Sequence, residues 1–247
     1  MYAKLPAMRL VRHAYLDLIG SWRGLVQVGG LWLIVPWVLY AVDEPLLELL
    51  GDLAMSVGIA AVAVAWHRRI LLSEPLPLRF APVTAQVGRY MAFWAVVVAV
   101  VGLPGVLVAL LILGALGTTT VGAGGALVAV LALLSLGAAM RLQLVFPAAA
   151  IGEPAVTLRA SWRATRGNTW RLLAGTLLVS LPPAAAGVLL SLALGALANV
   201  TGSLVLGWLG ELAPVAGAWV QTPLLAAFLS YAYLFLRQRT QTLQPKA

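Results

Sequence analysis

MAFWAVVVAVVGLPGVLVALLILGAL, residues 91–116, runs for 26 residues without one charged side chain. As a helix it covers about 39 Å, more than the roughly 30 Å of hydrocarbon in a bilayer. Five further apolar stretches of similar character, 24–42, 46–66, 124–146, 172–197 and 214–236, surround it. Across the 247 residues, 62% are apolar and only 10% charged. A water-soluble domain of this composition could not cover its surface with polar groups, so lipid must be the solvent for much of it. The stretches are continuously apolar, unlike the short alternating strands of a membrane barrel. The fold class is therefore all-α, a polytopic membrane protein of six transmembrane helices forming a single integral membrane domain over 1–247.

The segments between the stretches carry the charge unevenly. Lys4, Arg9, Arg12 and Arg23 precede the first span, and Arg68, Arg69, Arg79 and Arg89 fill the second connection. Arg141, Arg159, Arg163, Arg166 and Arg171 belong to the fourth connection and the helix end leading into it. Arg237, Arg239 and Lys246 lie in the tail, 237–247. The other three connections have no Lys or Arg. Basic residues near spans stay on the cytoplasmic side, which predicts both termini inside a bacterial inner membrane. Asp43, Glu44 and Glu48 cluster on the opposite side, at the first outer turn. The outer connections 117–123 and 198–203 are short and rich in Gly, Thr and Asn, as tight turns require. Asn199-Val200-Thr201 formally matches a glycosylation acceptor and is read as part of such a turn. The basic leader to Arg23, followed by an overlong apolar run, does not read as a cleaved signal peptide.

Amphipathic segments precede the odd-numbered spans. In 1–23, Leu5, Met8, Val11, Tyr15, Leu18 and Trp22 fall on one helical stripe. Phe80, Val83, Val87 and Tyr90 make a shorter stripe, and Leu158 and Trp162 run beside Arg159, Arg163 and Arg166. Such mixtures of Arg with aromatic and aliphatic residues predict interfacial helices on the cytoplasmic face. The order of interfacial helix, outward span, turn and inward span suggests a threefold parallel repeat. Glu74-Pro75 and Glu153-Pro154 recur 79 residues apart, as do Gly88 and Gly167, and Pro104 and Pro183. Beyond Val200, breaks at Gly202, Glu211 and Pro214 predict a short outer helix over 204–212, with the last span starting at Pro214.

Arg166-Gly167-Asn168-Thr169-Trp170-Arg171-Leu172-Leu173 opens the fifth span. The run resembles a pattern in bacterial six-span inner-membrane proteins. It is also similar to the membrane domain attached to some glycerophosphodiester phosphodiesterases. The resemblance implies the six-span layout. It transfers no activity, because the chain shows no phosphodiesterase domain.

The polar inventory is small. Eight Asp and Glu, two His and no Cys offer no metal-ligand spacing and no thiolate chemistry. No glycine-rich loop ends in Lys-Ser or Lys-Thr, and no activated Ser or Thr is evident. The sequence thus points to no catalytic residue, metal or cofactor, and its +8 charge lacks a soluble domain to bind nucleic acid. Ionisable residues within spans are functional candidates because hydrocarbon penalises them. Asp52, Arg141 and Glu211 qualify as candidates for a polar pathway, although Arg141 can snorkel to the interface and Glu211 can cap the last span. Pro36, Pro104 and Pro183 fall mid-span and predict kinks. Gly187, Ser191 and Gly195 suit close helix packing.

The leading expectation is a non-enzymatic membrane protein organising the bilayer or binding a partner through a basic-aromatic collar. Its candidate residues are Arg9, Arg12, Trp22, Arg23, Arg159, Trp162, Arg163, Arg166, Trp170 and Arg171, facing anionic lipid headgroups. A solute transporter using the kinked odd spans, or an assembly subunit contacting a membrane-protein partner, are the alternatives.

Overall fold

The structure is a computed structural model and describes residues 4–40, 42, 44–116, 121–154 and 157–242. Among them every regular element is helical: α1 (Ala7–Gly20), α2 (Trp22–Tyr40), α3 (Pro45–Leu72), α4 (Ala85–Val97), α5 (Leu103–Leu116), α6 (Val121–Leu142), α7 (Val145–Ala150), α8 (Leu158–Ala164), α9 (Thr169–Thr201) and α10 (Leu204–Thr242). Six helical runs are long and apolar enough to cross a membrane. The all-α, six-span expectation is thereby met. Asp43, residues 117–120 of the second outer turn, and Lys246 lie outside the described residues.

Local chemistry explains most boundaries. Between α4 and α5, Val98–Gly102 winds as a π-helical turn in which the Leu103 N–H donates to the Val98 carbonyl. The bulge falls just before Pro104, whose ring cannot fit the regular i−4 ladder. Thr84 caps α4, its hydroxyl accepting from Val87 N–H at 3.4 Å. Gly202 ends α9 with φ of 67°, a left-handed conformation that glycine adopts without strain.

Three details differ from the sequence reading. Residues 73–84 form no interfacial helix; Pro75, Pro77 and Pro82 interrupt them, and the backbone folds back onto α2. There the Ala81 N–H donates to the Val28 carbonyl at 3.0 Å, and Trp32 Nε1 donates to the Ala81 carbonyl at 2.9 Å. The last helix is continuous from Leu204 through Pro214 and Pro223, without a separate outer helix. It packs along α9, the most extensive helix contact among the described residues. Finally, α1 buries Leu10, Val11, Ala14 and Leu18, while Met8 and Trp22 of the predicted stripe are exposed.

The core belongs to the returning spans. In their apolar windows, 44%, 39% and 50% of residues are buried, against 17%, 0% and 17% for the outgoing spans. Their basic ends, on α3, α7 and α10, all touch one another. Val62, Trp66, Val145, Ala150, Leu224 and Phe228 pack there. Small residues allow the closest approaches: a Cβ on Gly175 would lie 2.1 Å from the Phe228 ring, and one on Gly217 2.7 Å from the Pro183 carbonyl. Gly187 meets the Ala213 carbonyl in the same way. Glycine at 187 and 217 lets α9 and α10 pack backbone to backbone, and at 175 it admits the Phe228 ring.

Candidate functional site

The basic segments converge at one end of the bundle. Helix α1 lies across it: the Leu5 N–H donates to Asn168 Oδ1 at 2.8 Å, His13 packs edge-on against Tyr231, and Asp17 reaches α3. Asp17 accepts from Arg69 Nη1 at 2.7 Å and from Trp66 Nε1 at 2.9 Å. Arg69 Nη2 also donates to Ser21 Oγ at 2.6 Å. The buried face of α1 looks into the protein, and the opposite face mixes Arg9 and Arg12 with exposed Met8, Leu16 and Ile19.

The most developed cationic site surrounds α8. Thr157 caps this helix, its Oγ1 accepting from Ala160 N–H at 3.2 Å. Near the end of α6, the Arg141 carbonyl accepts from Ser161 Oγ at 2.8 Å and from Thr165 Oγ1 at 3.1 Å. In the other direction, Arg141 Nη2 donates to the Trp162 carbonyl at 2.7 Å, and its guanidinium lies 3.8 Å from the Trp162 ring centroid. These bonds fix α8 against α6 and turn Arg159, Trp162, Arg163 and Arg166 outward. A cleft of about 560 Å³ is lined by Arg141, Trp162, Arg163 and Arg166. Next to it, an apolar groove of about 610 Å³ runs between the π turn with α5 and α6, with Arg159 and Trp162 among its lining residues. Trp162 lines both spaces.

A second cleft of about 460 Å³ joins Trp22 and Arg23 to Arg69 at the α1–α2 corner. Arg23 lies 5.6 Å from the Trp22 ring centroid. Trp170 is exposed at the start of α9. Arg171 is turned inward instead, where its Nη1 donates to the Leu5 carbonyl at 3.0 Å and so tethers the N-terminal segment. Asp52 and Glu211 are exposed, near the beginnings of α3 and α10. Arg141 lies at the other end of the bundle, so the structure does not bring these three together.

Several polar residues have roles that the sequence reading did not assign them. Arg68 holds Glu74 bidentately, with contacts of 2.7 and 2.6 Å, and donates to the Ala150 carbonyl at 3.2 Å. Glu153 accepts from the Tyr233 hydroxyl and pairs with Arg237 at 3.2 Å. Both Glu-Pro pairs therefore place a carboxylate where it holds a returning span, a role that the sequence reading, which took their spacing only as a sign of a repeat, did not anticipate. His67 Nδ1 and Ser230 Oγ are 2.7 Å apart between α3 and α10. Both residues are 0% exposed, so this Ser–His pair is sealed in the core rather than presented to a substrate.

No protein-family model matches the chain, and neither a curated protein nor a solved structure matches it.

Proposed function

We propose that the chain is a non-enzymatic, multi-pass protein of the bacterial inner membrane that binds anionic lipid headgroups and organises the bilayer around it. The basic end would face the cytoplasm, following the positive-inside rule. The observation that carries this reading is the arginine cleft at α6–α8. Arg141, Arg163, Arg166 and Trp162 surround one space, with Arg159 beside it at the mouth of the groove. Neither Arg159 nor Arg163 is ion-paired among the described residues. Cations facing an anionic surface each add on the order of 1 kcal/mol, and tryptophan favours the same depth.

The solute-pathway alternative has less support. It needs Asp52, Arg141 or Glu211 to face a central cavity, whereas Arg141 is engaged with α8 at the opposite end from the two exposed carboxylates. The assembly alternative would use the outer end of α10, where Trp208 packs edge-on against Trp37 at 5.7 Å and stays exposed, but no built site accompanies it among the described residues.

The test is to replace Arg159, Arg163 and Arg166 together by Gln and measure anionic lipid retained in native mass spectrometry. Three lost cations predict an affinity lower by roughly a hundredfold. Lipid retention equal to that of the unaltered protein would overturn the proposal.

A further inference from the structure

We infer that the arginine cleft and the apolar groove beside it form one two-part site, which holds a single anionic glycerophospholipid as a discrete ligand. The phosphate sits against Arg159 and Arg163, and one acyl chain lies along the groove between α5 and α6. The inference rests on the anionic-lipid reading and adds the position of the ligand and its one-to-one stoichiometry.

The groove has the chemistry and length for a chain. Val100 and Pro104 line one wall; Leu131, Leu134, Ala138 and Leu142 line the other. Ser135 is the one hydroxyl among the lining residues. From Leu131 to Leu142, the wall extends about 16 Å along α6, comparable to the ~15 Å depth of one leaflet. The path follows from local sequence. The π turn before Pro104 offsets the helix from its regular course. Gly105 then lets α5 touch α6, since a Cβ there would come within 2.7 Å of Ser135 Oγ. Near the basic end, Val97, Leu142, Val145 and Phe146 form a small packed cluster, with Leu158 of α8 against it. Leu158 also lines the groove, so the floor of α8 and the apolar channel are parts of one packing unit.

Charge and shape select the occupant. A lipid without phosphate would leave Arg159 and Arg163 without a counter-charge, and a zwitterionic phospholipid brings an ammonium along with its phosphate. A soluble phosphate compound would leave the groove unfilled. A helix from a partner would fill the groove, yet Arg159 at its mouth would need an acidic residue in register. A phospholipid supplies the anion and the hydrocarbon in one molecule, in the order the site presents them.

The experiment titrates the detergent-purified full chain with phosphatidylglycerol and, separately, phosphatidylcholine, and counts adducts by native mass spectrometry. One phosphatidylglycerol per chain is expected, in preference to phosphatidylcholine. Ala138→Phe fills the groove and should lower that adduct about tenfold, because the displaced chain loses apolar burial. Leu133→Phe on α6, outside the groove lining, should leave it unchanged. Val108→Phe narrows the groove from the α5 wall and decides the matter if Ala138→Phe does not fold. Wild-type lipid binding by folded groove-filled protein would overturn the two-part site, while loss on the triple Arg→Gln change would still uphold the collar. Wild-type binding by the triple variant would overturn the collar as well. An adduct with the mass of a second chain, in place of lipid, would also refute the inference.

Discussion

The run Arg166-Gly167-Asn168 shows how single residues set the basic end. Gly167 adopts φ of 79°, a left-handed turn that joins α8 to α9 and that a side chain would strain. Asn168 stands at the N-cap of α9, yet makes no side-chain cap bond there. Its Oδ1 instead accepts the Leu5 N–H, while Arg171 donates to the Leu5 carbonyl. Leu5 is 1% exposed, so Asn168→Ala would leave a buried N–H without that acceptor. The expected loss is about 1–3 kcal/mol, read as a lower thermal midpoint in detergent. Trypsin should also cut faster at Arg9 and Arg12; an unchanged digestion rate would show that the tether does not hold α1 down. The sequence made this run conspicuous as a resemblance, but its partner lies 163 residues away. No periodicity reveals such a pairing. The exposed cations were legible because patterning places them; the carbonyls and carboxylates they meet depend on the packed fold.

At the level of elements, helix existence was easier to read than helix faces and breaks. Apolar length alone identified the spans, because lipid requires every backbone polar group to be satisfied within the segment. Helix α1 was also legible, and Leu5, Val11 and Leu18 of its apolar stripe are buried, but Met8 and Trp22 are not. Apolar residues occur on two sides, and the fold chose the face on which Ala14 allows close approach and Asp17 meets Arg69. Proline was the least informative signal. It produced a π turn before Pro104, passed within continuous α10 at Pro214 and Pro223, and helped keep 73–84 irregular. The last case yields a prediction. Trp32→Phe removes the indole donor to the Ala81 carbonyl while keeping most of the aromatic volume. A loss of about 1 kcal/mol is expected, with faster tryptic cleavage at exposed Arg79. Identical cleavage would mean that the Ala81–Val28 backbone bond alone holds the segment.

At the scale of the molecule, one set of charges plays two physically different roles. Arg68, Arg69, Arg171 and the more exposed Arg237 are engaged by partners within the protein, where they join α1, the loops and the returning spans. Arg9, Arg12, Arg23, Arg159 and Arg163 are exposed. The positive-inside rule treats both groups alike and cannot distinguish them, since it concerns only side. It nevertheless makes a prediction about the assembled molecule, because contacts gather both groups at one end. Leu78 is 88% exposed on the loop at that end, and Val200 is 85% exposed in the last turn of α9 at the other. The chain has no cysteine, so a single introduced thiol reports one position without background. In intact spheroplasts, Val200→Cys should react with a membrane-impermeant maleimide, whereas Leu78→Cys should react only after permeabilisation. The reverse pattern would put the arginine cleft on the outer leaflet and displace its proposed cytoplasmic role. Equal labelling of both before permeabilisation would contradict a fixed six-span orientation.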